Sequence, residues 1–253
     1  MTALYGLIGR TLSHSFSADL FAAKFRDEGI DARYELWEQP DIADITDKVL
    51  SLPSLRGFNV TIPYKRAIIP YLDEVSDEAG RIGAVNVVKV RRSPAGEVTL
   101  KGYNTDCRGF AGSVLPFLSD ETLFRRALVL GTGGAAQAVK YALEQLGLGV
   151  EMVSRRPRGR RGIVGYPRLR DEEFMDARRL IVNATPLGTA PDTDRCPDIP
   201  YRLIGGGHLC VDLVYNPEVT EFMRRCAARG ATVRNGLEML RLQALEAWRI
   251  WQE

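Results

Sequence analysis

A short apolar run, a glycine-rich turn and an amphipathic pattern follow one another in residues 127–147, ALVLGTGGAAQAVKYALEQLG. The run 127–130 is too short for a helix and stops at a glycine, which predicts a strand buried on both faces. Gly131, Gly133 and Ala136 then have the G-x-G-x-x-A spacing of a dinucleotide-binding turn, and a helical pattern follows. This order predicts a helix N-terminus whose backbone N–H groups hold a pyrophosphate; a purely structural glycine turn is the alternative.

The next predicted strand, residues 149–154, ends in side chains that bear on the choice of cofactor. An NAD site places Asp or Glu at this point to bind the ribose 2′-hydroxyl. Here Ser154, Arg155 and Arg156 occupy the strand end, and a guanidinium is well shaped to bind a phosphate. The sequence therefore predicts NADP as the cofactor. Three further arginines continue a loop that is equally compatible with simple solvent exposure: Arg158, Arg160 and Arg161.

Composition sets broad limits on the class of protein. A chain of 253 residues, 45% of them hydrophobic, fits one large or two modest domains. A formal net charge of +2 gives no argument for nucleic acid or membrane partners, and no apolar run reaches transmembrane length. We expect a cytoplasmic protein without a signal peptide, a monomer or homodimer that acts on a small molecule. Four cysteines without C-x-x-C spacing and only two histidines predict free thiols and no metal site.

A cluster of serines follows the first predicted strand. Ser13, Ser15 and Ser17 lie between this strand and a predicted helix. Their hydroxyls could cap the helix, or they could bind a polyol or a carboxylate. The residues by themselves favour neither interpretation.

A lysine stands in an unusual position after a later strand. Pro63 ends the strand 57–62 and is predicted to begin a helix, with Lys65 in its first turn. A cation is unfavourable beside the positive end of a helix dipole, and the usual interpretation is a solvated surface lysine. The carboxyl end of a strand is, however, where α/β proteins bind ligands, so Lys65 is also a candidate for chemistry.

The remaining predicted elements form a largely alternating α/β pattern. Residues 155–180 look too short to hold a complete crossover helix, and the final helix carries an apolar stripe that should pack against the first domain. The predictions are helices beginning at Pro40 and Arg108 and covering 73–83, 218–229 and 237–252, a hairpin of 84–91 and 98–102, and strands at 180–182, 209–214 and 232–233.

Short motifs spread in order over nearly the whole chain resemble those of the shikimate dehydrogenases. That family reduces 3-dehydroshikimate to shikimate with NADPH in aromatic amino-acid biosynthesis. The chain is similar to a compact version of the family, with Ala18 in place of a proline that often follows the second serine. The motifs are 13–17 (SHSFS), 59–65 (NVTIPYK), 83–86 (GAVN), 104–106 (NTD), 131–135 (GTGGA), 183–185 (NAT) and 235–240 (NGLEML), with Gln243.

The resemblance implies a role for each matching residue. Lys65 and Asp106 would form the catalytic pair beside the reacting carbonyl. The implied substrate-binding residues are Ser15, Ser17, Asn59, Thr61, Asn86, Tyr215 and Gln243. The implied cofactor-binding residues are Gly131, Thr132, Gly133, Gly134, Ala135, Ser154, Arg155, Arg156, Asn183, Thr185, Leu213 and Gly236, with Asp77 nearby.

The sequence as a whole therefore predicts a two-domain α/β protein. Residues 1–106, completed by the C-terminal helix 237–253, would form an α/β substrate domain, and residues 107–236 a Rossmann-like NADP-binding domain. The expected activity is that of an NADP-dependent shikimate dehydrogenase. Quinate or aminoshikimate as the substrate, a non-catalytic NADP-binding regulator and a tetrahydrofolate dehydrogenase of the same two-domain plan remain alternatives.

Overall fold

The structure is a computed structural model that describes residues 1–12, 16–118 and 124–253. The chain divides into two compact units, Met1–Asp106 with Gln243–Glu253, and Cys107–Leu242. One six-stranded sheet lies in the first unit and another in the second. The predicted division assigned all of 237–253 to the first domain, whereas 237–242 belongs to the second unit.

The sheet of the first unit is mixed. Its order is β2-β1-β3-β5-β6-β4, with β2, β1 and β3 parallel and the β5–β6 hairpin antiparallel to β3. The hairpin was predicted and is confirmed. The elements are β1 (Ala3–Gly9), α1 (Phe16–Asp27), β2 (Ala32–Glu38), α2 (Ile45–Leu50), β3 (Leu55–Val60), β4 (Glu74–Val75), α3 (Asp77–Ile82), β5 (Val87–Arg92) and β6 (Val98–Tyr103).

The sheet of the second unit is parallel throughout, in the order β12-β11-β10-β7-β8-β9. The chain runs outward from β7 in one direction and from β10 in the other, so the order reverses between these two strands. This is the doubly wound arrangement predicted for a Rossmann-like domain. The elements are α4 (Asp106–Val114), β7 (Arg126–Leu130), α5 (Gly134–Gln145), β8 (Gly149–Ser154), β9 (Ile163–Gly165), α6 (Glu172–Asp176), β10 (Leu180–Asn183), β11 (Leu209–Asp212), α7 (Glu221–Ala227), β12 (Thr232–Arg234) and α8 (Leu237–Gln252).

The end of α8 packs into the first unit as its apolar stripe predicted. Trp251 stacks on Tyr5 with ring centroids 4.8 Å apart, and its indole N–H donates to the Val88 carbonyl at 3.1 Å. The ammonium of Lys89 donates to the Ile250 carbonyl at 2.9 Å, which satisfies one of the unpaired carbonyls at the helix end. These contacts fix the helix that carries Gln243 to the sheet of the first unit.

Three predicted helices differ in the structure. Residues 62–68 form successive turns, so Lys65 does not stand in the first turn of an α-helix and the dipole argument does not apply to it. The predicted helix 73–83 is reduced to α3, because β4 pairs with β6 first. The helix expected from Pro40 begins only at Ile45.

The crossover between β8 and β10 lacks a full helix, as its length predicted. It contains β9, which was not predicted, and the five-residue α6. No helix in the described part of the chain is long and apolar enough to cross a membrane. Within the same ranges, no group of His, Cys, Asp and Glu side chains is arranged to hold a metal ion, and the four cysteines are free thiols.

Gly57 lies where a side chain would collide with the packed end of α8. A Cβ on Gly57 would lie 2.3 Å from the Trp251 ring and 2.8 Å from the Val88 carbonyl oxygen. We expect Gly57→Ala to lower the free energy of unfolding by about 2–3 kcal/mol in denaturant titrations. Gly80→Ala is the control, because Gly80 lies within α3 with open space around it, and it should be neutral or stabilising by about 0.5–1 kcal/mol. Equal stability of the two variants would contradict this account.

Candidate active site

A largely buried ion pair lies beyond the carboxyl end of β3. Lys65 Nζ lies 2.6 Å from Asp106 Oδ2, and the two side chains are 15% and 7% exposed. The Lys65 carbonyl accepts from the Val85 N–H at 2.7 Å, which ties the turn after β3 to the segment before β5. Asp106 is the first residue of α4, where the helix dipole favours an anion. The structure thus brings the predicted catalytic pair together.

Asn86 holds the second oxygen of that carboxylate. Its Nδ2 donates to Asp106 Oδ1 at 2.9 Å, and its Oδ1 accepts from the Thr105 N–H at 2.7 Å. The same Nδ2 lies 3.0 Å from Thr105 Oγ1 and 3.3 Å from Gln243 Oε1. Asn86 is only 2% exposed, so these bonds form away from solvent. Asp106 is therefore held on both oxygens, and Gln243 joins the same network.

Asn59 is engaged through both ends of its amide. Its Nδ2 donates to the Asn86 carbonyl at 3.2 Å, and its Oδ1 accepts from the Tyr34 hydroxyl at 2.7 Å. Burial raises the pKa of Tyr34 well above its usual range, so this hydroxyl remains a donor. Tyr34 is not among the residues predicted from the sequence, because nothing in the β2 pattern indicates that this ring reaches the end of β3. The predicted substrate ligand Asn59 is thus a side chain whose orientation is already fixed by protein contacts.

The other predicted substrate residues do not all lie in the same unit. Thr61 follows β3 and is half-buried, and its N–H donates to the Ile8 carbonyl at 2.9 Å. Ser17 is buried in the first turn of α1, whereas Ser15 lies outside the described residues. Tyr215 follows β11 in the second unit, where burial raises its pKa. Their sequence-predicted roles stay predictions.

The glycine-rich turn joins β7 to α5 as the motif predicted. Gly131 has a φ of +114°, and a Cβ there would lie 3.1 Å from the Ala184 carbonyl oxygen. Only glycine adopts that backbone conformation without strain. Gly133 caps α5 and faces open space, and Ala136 behind it is fully buried. Thr132 in the turn, and Gly134 and Ala135 in the first turn of α5, therefore offer accessible N–H groups to an anion.

Ser154, Arg155 and Arg156 lie at the end of β8, next to the end of β7 in the parallel register. Both arginines are exposed, and the Ser154 hydroxyl accepts from the Arg156 N–H at 3.1 Å. This turn presents two cations and a hydroxyl beside the glycine-rich turn. It fits a phosphate on the adenosine ribose better than it fits a free 2′-hydroxyl.

The predicted residues after β10 and β11 form one hydrogen-bonded group. Asn183 Oδ1 accepts from the Thr185 N–H at 3.1 Å and from the Thr185 hydroxyl at 2.6 Å. The Leu213 N–H donates to the Asn183 carbonyl at 2.9 Å. Gly236 approaches the same backbone so closely that a Cβ would lie 2.2 Å from the Leu213 carbonyl oxygen. The remaining predicted cofactor residue, Asp77, is exposed at the start of α3 in the first unit.

Asp212 at the end of β11 is a buried carboxylate that is not among the residues predicted from the sequence. Burial is the main reason that its pKa rises from 3.8 to about 6, while hydrogen bonds from Thr220, Val214 and Asn183 act in the opposite direction. A signal was available, because an aspartate in an apolar strand of a parallel sheet is unusual and points to a polar group at the strand end.

A doubly wound sheet with this turn, together with a Lys–Asp pair at a strand end of a second α/β unit, defines a two-domain α/β dehydrogenase. A family model described as the shikimate dehydrogenase substrate binding domain matches residues 7–88. A shikimate dehydrogenase (NADP(+)) of Clostridium beijerinckii is 37% identical, over 98% of this chain and 92% of its own length. One from Aquifex aeolicus is also 37% identical, over 99% and 91%. The chain belongs to the shikimate dehydrogenase family.

Solved structures agree with this assignment. The shikimate 5-dehydrogenase of Thermus thermophilus in complex with NADP(H) and shikimate has a TM-score of 0.84 and 35% identity, covering 98% of this chain and 93% of that one. A quinate dehydrogenase from Corynebacterium glutamicum in complex with NAD has a TM-score of 0.83 and 29% identity, covering 99% and 93%. The fold is thus common to relatives that differ in their bound cofactor.

The raised pKa of Asp212 predicts a specific dependence of stability on pH. The folded state binds the proton more tightly than the unfolded state, so the contribution to stability is present below about pH 4 and is lost as the pH rises through about 6. The loss is about 3 kcal/mol at neutral pH. The stability of Asp212→Asn relative to the wild type should therefore increase over this range in denaturant titrations. A difference that is constant with pH would contradict the burial argument.

Proposed function

We propose that this chain is an NADP-dependent shikimate dehydrogenase that reversibly reduces 3-dehydroshikimate to shikimate. The observation that carries the proposal is the largely buried Lys65–Asp106 pair beyond the carboxyl end of β3, in a chain of this family. A carbonyl reduction needs a proton at the oxygen as well as a hydride at the carbon, and the pair offers a positioned proton. The first unit would be the substrate domain and the second the NADP-binding domain.

The protein side of the reaction follows from the contacts of the pair. NADPH, when bound, supplies the hydride that converts the carbonyl to an alcohol. Lys65 gives the proton to the carbonyl oxygen, or takes it from the alcohol in the reverse direction. Asp106 accepts from Lys65 Nζ at 2.6 Å and from Asn86 Nδ2 at 2.9 Å, so the ammonium is held in one place. Little reorganisation is then needed at the moment of proton transfer.

The substrate would be held by polar groups around this pair. Ser15 and Ser17 would bind its carboxylate, and Thr61, Asn86 and Gln243 would bind ring hydroxyls. Tyr215 is proposed as a further substrate-binding residue. Asn59 fits a positioning role better, because Tyr34 and the Asn86 carbonyl already engage its amide. Its effect on the reaction would then come through Asn86.

The cofactor would be bound by the strand-end groups of the second unit. Gly131 to Ala135 would hold the pyrophosphate, since Gly133 faces open space at the N-terminus of α5. Ser154, Arg155 and Arg156 would bind the 2′-phosphate. Asn183, Thr185, Leu213, Gly236 and Asp77 are the remaining residues proposed to line the cofactor. A cytoplasmic monomer or homodimer completes the proposal.

Quinate is the second candidate substrate, because a quinate dehydrogenase in complex with NAD has the same fold at 29% identity. A single spectrophotometric panel tests both: shikimate and quinate, each with NADP and with NAD, followed by the absorbance of the reduced nicotinamide. The proposal expects the highest kcat/KM with shikimate and NADP. A higher kcat/KM with quinate would identify quinate, and not shikimate, as the substrate. The absence of turnover with all four substrate–cofactor pairs would favour a non-catalytic regulator.

Lys65→Ala should lower kcat by roughly 10²–10⁴-fold, because it removes a positioned proton donor. The Michaelis constant for shikimate should change much less. Lys101→Ala is the control, since Lys101 lies in the same unit and pairs with Glu74 on the surface at 2.8 Å. Steady-state kinetics of both variants measure this difference in kcat. A Lys65 variant with near wild-type kcat would show that Lys65 is a solvated lysine without a catalytic role.

Arg155→Ala should weaken NADP binding by about tenfold or more and leave NAD almost unaffected, because a charge-assisted bond to the 2′-phosphate is lost. Added salt should narrow the preference of the wild type for NADP, since Arg155 is exposed. Arg160→Ala, in the same loop, is the matched control and should have a smaller effect. Similar use of NAD and NADP by the wild type would contradict the proposed phosphate site.

A further inference from the structure

Three hydrogen-bond donors converge on the buried carboxylate of Asp212, at the ends of two adjacent strands. Asn183 Nδ2 and the Val214 N–H both donate to Asp212 Oδ1 at 3.0 Å, and the Thr220 hydroxyl donates to Oδ2 at 2.6 Å. Asn183, Asp212 and Thr220 are all fully buried. The three donors are an amide, a backbone N–H and a hydroxyl, so hydrogen bonds alone satisfy the carboxylate.

A carboxylate that only accepts determines which way its neighbours face. Asn183 must present its amide nitrogen to Asp212, and its amide oxygen is then directed at Thr185. That oxygen accepts from both the N–H and the hydroxyl of Thr185, at 3.1 and 2.6 Å. A neutral group at position 212 would bring a donor of its own into a ring of donors, and one of these bonds would have to be reversed or lost.

We propose that Asp212 is a positioning residue for the cofactor, whose negative charge fixes the Asn183 amide, the Thr185 turn and the backbone at Val214. The inference rests on the proposed function, because that function assigns Asn183, Thr185 and Leu213 to the cofactor. Asp212 acts through these groups, since it is itself completely buried.

The energetics favour this role over a structural one. Burial raises the pKa of Asp212 to about 6, so the charged form lowers the stability of the folded state at neutral pH. A buried charge that costs stability is a poor structural device, whereas fixing one orientation of a polar group is a known use of such charges. One titratable neighbour is Cys226 of α7, whose thiol pKa is raised by its hydrogen bond with Cys210, by burial and by Asp212. The thiol therefore stays neutral wherever Asp212 titrates.

The test is a direct titration of NADPH, followed by nicotinamide fluorescence without substrate, on the wild type and on Asp212→Asn. At about pH 8 the dissociation constant of the variant should be about tenfold higher, because the Asn183 amide and the Thr185 turn are no longer held in one orientation by the charge. At about pH 5 the ratio of the two constants should approach one, because wild-type Asp212 is then protonated too. The 2′-phosphate of the cofactor itself titrates near pH 6. Its effect on binding is the same for both proteins and therefore cancels in the ratio of the two dissociation constants.

Thr220→Val separates positioning from folding. It removes the hydroxyl that also accepts from the Met223 N–H at 3.3 Å to cap α7, but it leaves the charge and the contact with Asn183. This variant should melt at a lower temperature and weaken NADPH binding much less than Asp212→Asn does. Asp212→Asn should show the opposite pattern, with weak binding and a melting temperature that is not lowered. Thr220→Ser, which keeps the hydroxyl, should restore the stability lost in Thr220→Val.

Two results would overturn the inference: NADPH binding by Asp212→Asn within about twofold of the wild type at pH 8, or a ratio that does not change with pH. The proposed function fails in a different way. A wild-type chain that binds NADPH but does not oxidise shikimate would remove the proposed reaction, and the comparison of Asp212 variants would still stand.

Discussion

A buried carboxylate accepts hydrogen bonds and donates none, and this constraint arranges the polar groups at the strand ends of both units. In the first unit, Asp106 receives Lys65 on one oxygen and Asn86 on the other. In the second unit, Asp212 receives Asn183 and two further donors. Each carboxylate thereby fixes the direction of side chains that could otherwise rotate. The two differ in charge balance, because Asp106 has an ammonium partner and Asp212 has neutral ones.

This difference in charge balance matches the different roles proposed for the two carboxylates, proton transfer with Lys65 for Asp106 and positioning for Asp212. Lys65 and Asp106 retain a small exposed fraction, 15% and 7% of their side chains, so in the proposed reaction the ammonium would reach a substrate atom while its partner holds it. Asp212 has no exposed surface and can act only through the groups that it orients. A proton donor must touch the reacting group. A positioning residue is best buried, because its hydrogen bonds are stronger in the protein interior than in water.

The parallel sheet of the second unit is what brings these groups together. Asn183 lies opposite Leu130 on one side and opposite Asp212 on the other, so the ends of β7, β10 and β11 are level. Residues that follow these strands therefore meet at one edge, although they are separated by dozens of positions in the chain. The first N–H groups of α5 lie at the same edge, so the proposed cofactor would contact both the glycine turn and the Asn183 group.

The sequence by itself determined the α/β class, the strand–turn–helix of residues 126–145, the β5–β6 hairpin and the family, because these follow from local periodicity, glycine spacing and contiguous motifs. It also indicated Lys65 and Asp106 as a pair through the family motifs. Only the tertiary structure decided that Lys65 lies in a series of turns after β3 and not in a helix. In the same way, the pairing of β4 with β6 replaces the start of the helix predicted for 73–83. The tertiary structure alone revealed Tyr34 behind Asn59 and the three donors around Asp212. Burial and the direction of a hydrogen bond depend on neighbours that are distant in sequence, and no local pattern records them.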